Sequence, residues 1–422
     1  MKVSKVTMFF IIIAALFIGA AKNCVSETFG LFGLSESGTL YWIDDFTGKT
    51  VRVGQDGTLQ GCSCMDYNPA DKTLYGTCES AAGFMNDNSG KLIIINSFTG
   101  GVSTYKSFNI QLGGDVTGFF NSIGDISFKS NGILSAYLAS NDSEVKNDVG
   151  ERVDALGTID LNSGLTSITN QITPIGSSGV QHAIAFSKSD VLYIFRSELP
   201  FENSRMTNQG SSFSNQVWSL TGGDGTPRIV SMDTNPATGA LYGLVTNGGS
   251  SCCIADLNIL SRSATIIASI NKTDLKAIAW VPSIELKKDV DLKLDTLSTE
   301  LRRTLLEDHS HLSNKCPETT TKRIFLIIAK FTNISQKNFV NMHFVVDKLT
   351  GNNTVINVNP GESGTEGSII RLPTIPGVGI EDCILNAGES FTAIISICLE
   401  PVAPFSFFVK AFGNPIEDGM CQ

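Results

Sequence analysis

Acidic residues recur at fixed places in this chain, and paired carboxylates are the groups that glycoside hydrolysis or calcium binding would use. Asp44, Asp66, Asp160 and Asp233 each occupy a repeated motif just ahead of turn-forming residues. That shared position predicts a turn role, in which the side chain accepts hydrogen bonds from the backbone that follows. Asp125 and His182 stand early in apolar runs, where they are expected to line a channel as ligands or as satisfied core residues. Three long stretches, Cys78–Gly90, Ser140–Asp154 and Ser197–Asn215, carry Phe84, Arg152, Glu198, Phe201 and Arg205. Aromatic and Arg side chains on variable loops are typical of recognition surfaces. These five, with Asp125 and His182, are the candidate ligand-binding residues, and Phe201 and Arg205 are the expected anchors.

Other chemistries find no footing. There is no Gly-x-Ser-x-Gly elbow, no phosphate-cradling Gly-x-x-x-x-Gly-Lys loop and no His-Glu-x-x-His helix. Four His (182, 309, 311 and 343) argue against a histidine-based metal cluster. No catalytic residue, cofactor or metal ligand is therefore nominated. A net charge of −10 without a basic cluster argues against a nucleic-acid partner.

The start of the chain predicts export. Lys2 and Lys5 precede an apolar run from Met8 to Ala21 that ends in Gly19, Ala20 and Ala21. This is the pattern of a signal peptide over residues 1–21, and the run is shorter than the ~20 residues of a membrane span. An uncleaved N-terminal anchor is the alternative. Lys22 and Asn23 do not suit a lipidated Cys24. No membrane span is expected after cleavage, and the expected location is secreted, periplasmic or cell-surface.

Ten cysteines in an exported chain are read first as disulfides. Beyond Cys24, the candidates are Cys62, Cys64, Cys78, Cys252, Cys253, Cys316, Cys383, Cys398 and Cys421. Cys78 lies across the Asn68–Thr73 turn from Cys62 and Cys64, so one of those two is its expected partner. The last four form an even set that can close within the C-terminal region. The five between 62 and 253 become even only with Cys24, which predicts cleavage near Ala21.

The elements that must position these residues come from an internal repeat of about 50 residues. Its first half reads Met232-Asp-x-Asn-Pro-x-Thr-Gly-x-Leu-Tyr-Gly-Leu244, with relatives at Met65–Gly76, Ile126–Ile133 and Ile184–Tyr193. Its second half reads Ile43-Asp-x-x-Thr-Gly48, Ile95-Asn-x-x-Thr-Gly100 and Ile159-Asp-x-x-Ser-Gly164. Apolar strands separated by Asn-Pro and Gly turns at this period predict four-stranded propeller blades. First strands are expected at Cys62–Asn68, Ile123–Lys129, Val180–Ser187, Ile229–Asn235 and Leu275–Pro282. The last has no blade after it, and the segment from Phe29 has no first strand before it. Pairing Leu275–Pro282 with Phe29–Leu34 closes a ring of about five blades over 29–284 and removes its open edges. An open sandwich of ten or more strands is the competing reading.

Beyond a linker and first strand at 285–322, short apolar runs and Gly-rich turns over 323–422 predict an immunoglobulin-like β-sandwich. The fold class is thus all-β, a β-propeller followed by a sandwich. Asn141, Asn271, Asn333 and Asn352 are glycosylation sequons.

Asp-x-Asn-Pro-x-Thr-Gly-x-Leu-Tyr-Gly, with Ile-Asp-x-x-Thr-Gly, resembles secreted bacterial β-propeller proteins of unknown function. Lys330-Phe-Thr-Asn-Ile-Ser, Leu385-Asn-Ala-Gly-Glu-Ser-Phe and Pro404-Phe-Ser-Phe-Phe-Val resemble adhesion-type sandwich domains. Leu40-Tyr-Trp-Ile-Asp44 also resembles the Tyr-Trp-Thr-Asp blades of cell-surface receptors, once and with Ile for Thr. The resemblance implies a fold without a defining catalytic motif. The expectation is a non-enzymatic binding or structural protein, with a protein or glycan of the cell envelope as partner. A propeller hydrolase, of glycosidase or lactonase type with acidic residues at the channel mouth, is the alternative.

Overall fold

The computed structural model describes residues 28–79, 89–111, 122–139, 154–172, 181–198, 203–208, 219–221, 228–247, 250–302, 316, 323–359, 362–372, 374–375, 378–379, 383–400, 403 and 405–417. The signal segment, Cys24, Cys421, Phe84, Arg152, Phe201 and Asn141 lie outside the described residues. Every regular element among those described is a β-strand. None is a helix long and apolar enough to cross a membrane. Two compact units divide between Pro282 and Ser283.

In the first unit, β1 (Phe29–Ser35), β2 (Leu40–Ile43) and β3 (Thr50–Val53) begin a blade that lacks its innermost strand. There follow β4 (Cys62–Asn68), β5 (Thr73–Glu79), β6 (Ser89–Ile95) and β7 (Val102–Gln111), then β8 (Ser122–Phe128), β9 (Leu134–Ala139), β10 (Asp154–Ile159) and β11 (Leu165–Ile172). The next are β12 (Gln181–Phe186), β13 (Leu192–Glu198), β14 (Asn203–Asn208) and β15 (Ser219–Thr221). The last are β16 (Arg228–Thr234), β17 (Leu241–Asn247), β18 (Ser250–Asn258), β19 (Ser263–Ser269) and β20 (Leu275–Pro282). β20 pairs antiparallel with β1, from Phe29 opposite Pro282 to Leu34 opposite Ala277, in a sheet ordered β20-β1-β2-β3. This is the closure expected from the two incomplete ends of the repeat, and it completes a five-bladed propeller.

The blades are not separate sheets at their outer edges. β11 pairs in parallel with β7, and β15 leaves its own blade to pair in parallel with β19. Outermost strands otherwise present unpaired N–H and C=O groups, and borrowing a neighbour's edge satisfies them. Between the two outer strands of a blade, the Ile-Asp-x-x-Thr-Gly turns form as expected. Asp44 Oδ1 accepts from Phe46 N and Thr47 N, and Asp160 Oδ1 from Asn162 N and Ser163 N. Gly48, at φ 75°, lies so near the preceding blade that a Cβ would meet Ser269 O at 2.0 Å.

The innermost strands contact one another in ring order β4, β8, β12, β16, β20 and back to β4. They are not hydrogen-bonded to each other as a sheet, so their inward N–H groups need other acceptors. Side chains of β4, β8 and β16 supply several of them on the strand that follows. Asp66 Oδ2 receives Phe128 N at 2.6 Å, Ser127 Oγ receives Phe186 N at 3.1 Å and Asp233 Oδ2 receives Trp280 N at 2.6 Å. One turn of the pleat away, Asp125 Oδ2 receives Ile184 N at 3.0 Å and Ser231 Oγ receives Ile278 N at 3.2 Å. At the matching place on β4, the Cys64 thiol donates to Ile123 O. Asp66 and Asp233 are therefore not turn-formers as expected. The turns belong to Asn68 and Asn235, whose Oδ1 atoms accept from Ala70 N and Ala237 N. The reason is the pleat: Asp sits two residues before Asn, on the same strand face but still inside the strand.

The second unit is a sandwich of two four-stranded sheets. Its strands are β21 (Ile284–Glu285), β22 (Leu292–Arg302), β23 (Arg323–Asn333), β24 (Asn338–Leu349), β25 (Thr354–Val355), β26 (Ile369–Arg371), β27 (Thr374–Ile375), β28 (Val378–Gly379), β29 (Ser390–Leu399) and β30 (Phe407–Ile416). One sheet is ordered β21-β30-β24-β26 and the other β22-β23-β29-β25, with β27 and β28 a separate hairpin. Phe331 and Phe391 from one sheet meet Phe344 from the other, with ring centroids 5.3 Å apart for Phe331–Phe344. β22 runs on through Arg302, and pairing with β23 along its length holds it extended. Cys316 is bonded to Cys398 within this unit, and Cys62 to Cys78 across β4 and β5 in the propeller.

Removing a bracket should be costly. Asp66→Ala leaves Phe128 N buried without its acceptor and should cost about 1–3 kcal/mol in chemical denaturation. Burial pushes Asp66 up to about 7 from an ordinary 3.8, so the folded chain keeps a proton that the unfolded chain releases. Its contribution is complete below the ordinary carboxylate range and is lost as pH rises through about 7. Denaturation midpoints across that window should show a shallower fall for Asp66→Asn than for the native chain.

Candidate functional site

Each of the three inner carboxylates is buried and drawn into the backbone ring. Asp125 reaches farthest: besides Ile184 N, its Oδ2 receives Met232 N at 3.3 Å, and its Oδ1 receives the Ser231 hydroxyl at 3.4 Å. It can do so because β12, between them, carries Ala183 and Ala185 at the bracket positions. Burial raises Asp125 and Asp233 well above the carboxylate range, and the charge of Asp66 adds to the rise in both. Asp125, expected to line the channel, and Asp66 and Asp233, expected to form turns, are thus committed to holding the ring. Among the described residues, no cluster of three or more His, Cys, Asp or Glu is arranged to hold a metal ion.

His182 belongs to a different constellation. It is the second residue of β12, and its ring stacks on Tyr137 of β9 with centroids 4.3 Å apart. Its Nε2 lies 3.3 Å from Asp154 Oδ2, off the hydrogen-bond axis. Tyr137 Oη donates to the same carboxylate oxygen at 2.5 Å, and Arg196 Nη2 lies 3.9 Å from it. All four side chains are buried, Arg196 to 1% exposure. Gly124 makes room: it is the extra residue of a β-bulge in β8, and a Cβ there would meet both His182 and Tyr137 at 3.3 Å. Burial holds His182 below the usual histidine range despite the nearby Asp154.

The cluster lies at one end of the blades. Asp154 opens β10 after the connection 140–153, His182 follows the connection 173–180, and Arg196 stands two residues before the end of β13, ahead of 199–202. The expected long stretches Ser140–Asp154 and Ser197–Asn215 begin here, after β9 and at the end of β13. One of those loops is shorter than expected. Asn203–Asn208 is strand β14, paired with β13 so that Arg205 stands opposite Arg196, and Glu198 is the last residue of β13. The polar run Asn203-Ser-Arg-Met-Thr-Asn lacks the apolar content that marks a strand, which is why it reads as loop. Arg205 and Glu198 therefore belong to strands, while Phe84, Arg152 and Phe201 fall in the connections 80–88, 140–153 and 199–202. Among the sequons, Asn333 is buried and spends its Nδ2 on Lys337 O, Leu385 O and Asn386 O, an architectural use.

Tyr137, Asp154 and Arg196 escaped the sequence reading. Arg196 follows the apolar run Leu-Tyr-Ile-Phe of β13, and Asp154 opens β10, neither a pattern that marks a site.

No family model matches the chain, and no curated protein matches it. Solved structures do align with it at low similarity. A periplasmic gluconolactonase from Pseudomonas aeruginosa is 11% identical, covering 87% of this chain and 99% of its own, with a TM-score of 0.32. An exo-β-1,3-galactanase from Phanerochaete chrysosporium is 11% identical, covering 98% and 99%, with a TM-score of 0.35. A functionally unknown protein from Desulfotomaculum acetoxidans is 11% identical, covering 72% and 82%, with a TM-score of 0.29.

Breaking the buried cluster tests its cohesion. Arg196→Leu strips Asp154 of its cation and should destabilise the propeller by about 3–5 kcal/mol. Adding Asp154→Asn should recover much of that loss in denaturant titrations, because the stranded charge is then gone.

Proposed function

We propose that this chain is an exported, non-enzymatic recognition protein of the cell envelope or extracellular space. Its propeller would take a protein or glycan of the envelope at the end that bears the connections 80–88, 140–153 and 199–202. Phe84, Arg152 and Phe201 are the proposed contact residues, with Glu198 and Arg205 at the adjoining strand ends. The sandwich would act as an adhesion-type module. The observation that carries this reading is the engagement of Asp66, Asp125 and Asp233 by backbone N–H groups. Hydrolysis needs a carboxyl group free to protonate a leaving group or to attack, and these three are occupied. The buried Tyr137–Asp154–His182–Arg196 cluster supports the same reading, because it fixes the strand ends from which the proposed contact loops leave.

Glycan arrays and cell-wall pull-downs with the mature chain test this. Arg152→Ala combined with Phe201→Ala should reduce capture at least tenfold while leaving the melting temperature within about a degree. Undiminished capture places the contact elsewhere, and the sandwich is then the next region to vary. Turnover of a sugar lactone or a β-1,3-galactan by the purified chain overturns the non-enzymatic reading.

A further inference from the structure

Cys252 and Cys253 are neighbours on β18, and neighbouring side chains of a regular strand point to opposite faces. Here the register slips: Cys253 stands opposite Val245 and Ser251 opposite Thr246, so Cys252 is the extra residue of a β-bulge. A bulge sets two residues against one and re-aims their side chains. The two sulfurs accordingly lie 2.6 Å apart, well inside non-bonded contact and near the ~2.05 Å of a disulfide bond.

The bulge is held from the adjoining segment. Ile270 N donates to Cys252 O at 2.9 Å, Ser251 N donates to Thr273 O at 2.9 Å, and Leu275 N donates to Ser251 Oγ at 2.9 Å. Those bonds lead directly into β20, the strand that closes the ring. Other propeller cysteines do not compete for the pair. Cys62 is bonded to Cys78, and Cys64 is buried with its thiol on Ile123 O.

We propose that Cys252 and Cys253 form a redox modification site, a vicinal disulfide made by exchange with a small-molecule disulfide. Cys252, the half-buried partner, attacks the oxidant's disulfide as thiolate and expels one thiolate, leaving a mixed disulfide. Cys253, buried beside it, gives up its proton and attacks the Cys252 sulfur, expelling the second thiolate. The protein dithiol is oxidised by two electrons and the small disulfide is reduced to two thiols. Burial and the Cys253 thiol push Cys252 up to about 12, so the exchange accelerates with rising pH as the thiolate fraction grows. This pairing also accounts for the propeller cysteines without Cys24: two bonded pairs and one buried thiol.

The test uses the full exported chain. It is incubated with oxidised glutathione, denatured, alkylated without reduction, digested and weighed. The peptide holding both residues should emerge unalkylated and lighter by two hydrogens, and should take up two alkyl groups only after reduction. Cys64, by contrast, should alkylate before reduction. Alkylation of both Cys252 and Cys253 without reduction overturns the proposal, as does a bond from either one to any other cysteine.

Discussion

The propeller depends on how its innermost strands dispose of their inward N–H groups. A blade satisfies its strands by internal pairing, but the strand nearest the axis has one edge with no partner in its own sheet. In this protein β4, β8 and β16 serve that edge of the strand that follows, from two bracket positions two residues apart. Aligning the innermost strands gives Cys64 and Asp66, Asp125 and Ser127, Ala183 and Ala185, Ser231 and Asp233, then Ala277 and Ala279. Three strands give hydrogen-bonding side chains and two give none. β12 and β20, which carry the alanines, are the ones that receive two brackets each from their predecessors. The missing bracket between β12 and β16 is made good by Asp125, which reaches past the alanines to Met232 N. Large side chains at 183 and 185 would stand in its way.

This arrangement explains why so much of the fold was legible in the sequence and so little of its interior chemistry. Strand periodicity, Asn-Pro turns and Thr-Gly turns are local signals, and they placed all five innermost strands to within a residue. Closure was legible because β1 and β20 each lacked what the other supplied. The role of Asp66 and Asp233 was not, because a turn-forming Asp and a bracketing Asp look alike in one repeat. Only the column of equivalent residues, Asp, Ser, Ala, Asp, Ala, separates them. Asp44 and Asp160 have Gly four residues on and cap turns, whereas Asp66 and Asp233 are followed by the Asn that does so.

The candidate site was legible at one residue in four. His182 drew attention because it opens an innermost strand. Tyr137, Asp154 and Arg196 come from three further strands, β9, β10 and β13, and their meeting is a consequence of blade packing that no local pattern reports. The expectation for Phe84, Arg152 and Phe201 rests on residue type and loop length. Arg205 shows the limit of that inference, since a polar strand at a blade's outer side has the composition of a loop.

The brackets also bear on how five similar blades assemble in one order. Hydrophobic faces of repeats are nearly interchangeable, so burial alone discriminates weakly between correct and shifted neighbours. A bracket discriminates by length and capacity. Ser127 Oγ serves one N–H on the strand beside it, whereas Asp125 serves two strands at once. A Ser at position 125 could not span the same gap, and an Asp opposite the wrong neighbour would be a buried carboxyl without its donors, at a cost of several kcal/mol. The order of brackets around the axis therefore works as an address for each blade. Carboxyl groups pushed up by burial suit this task, because a protonated or amide-bound carboxyl tolerates the apolar axis that a free carboxylate would not. The same commitment that fixes the blades withdraws these groups from the chemistry their residue type suggests.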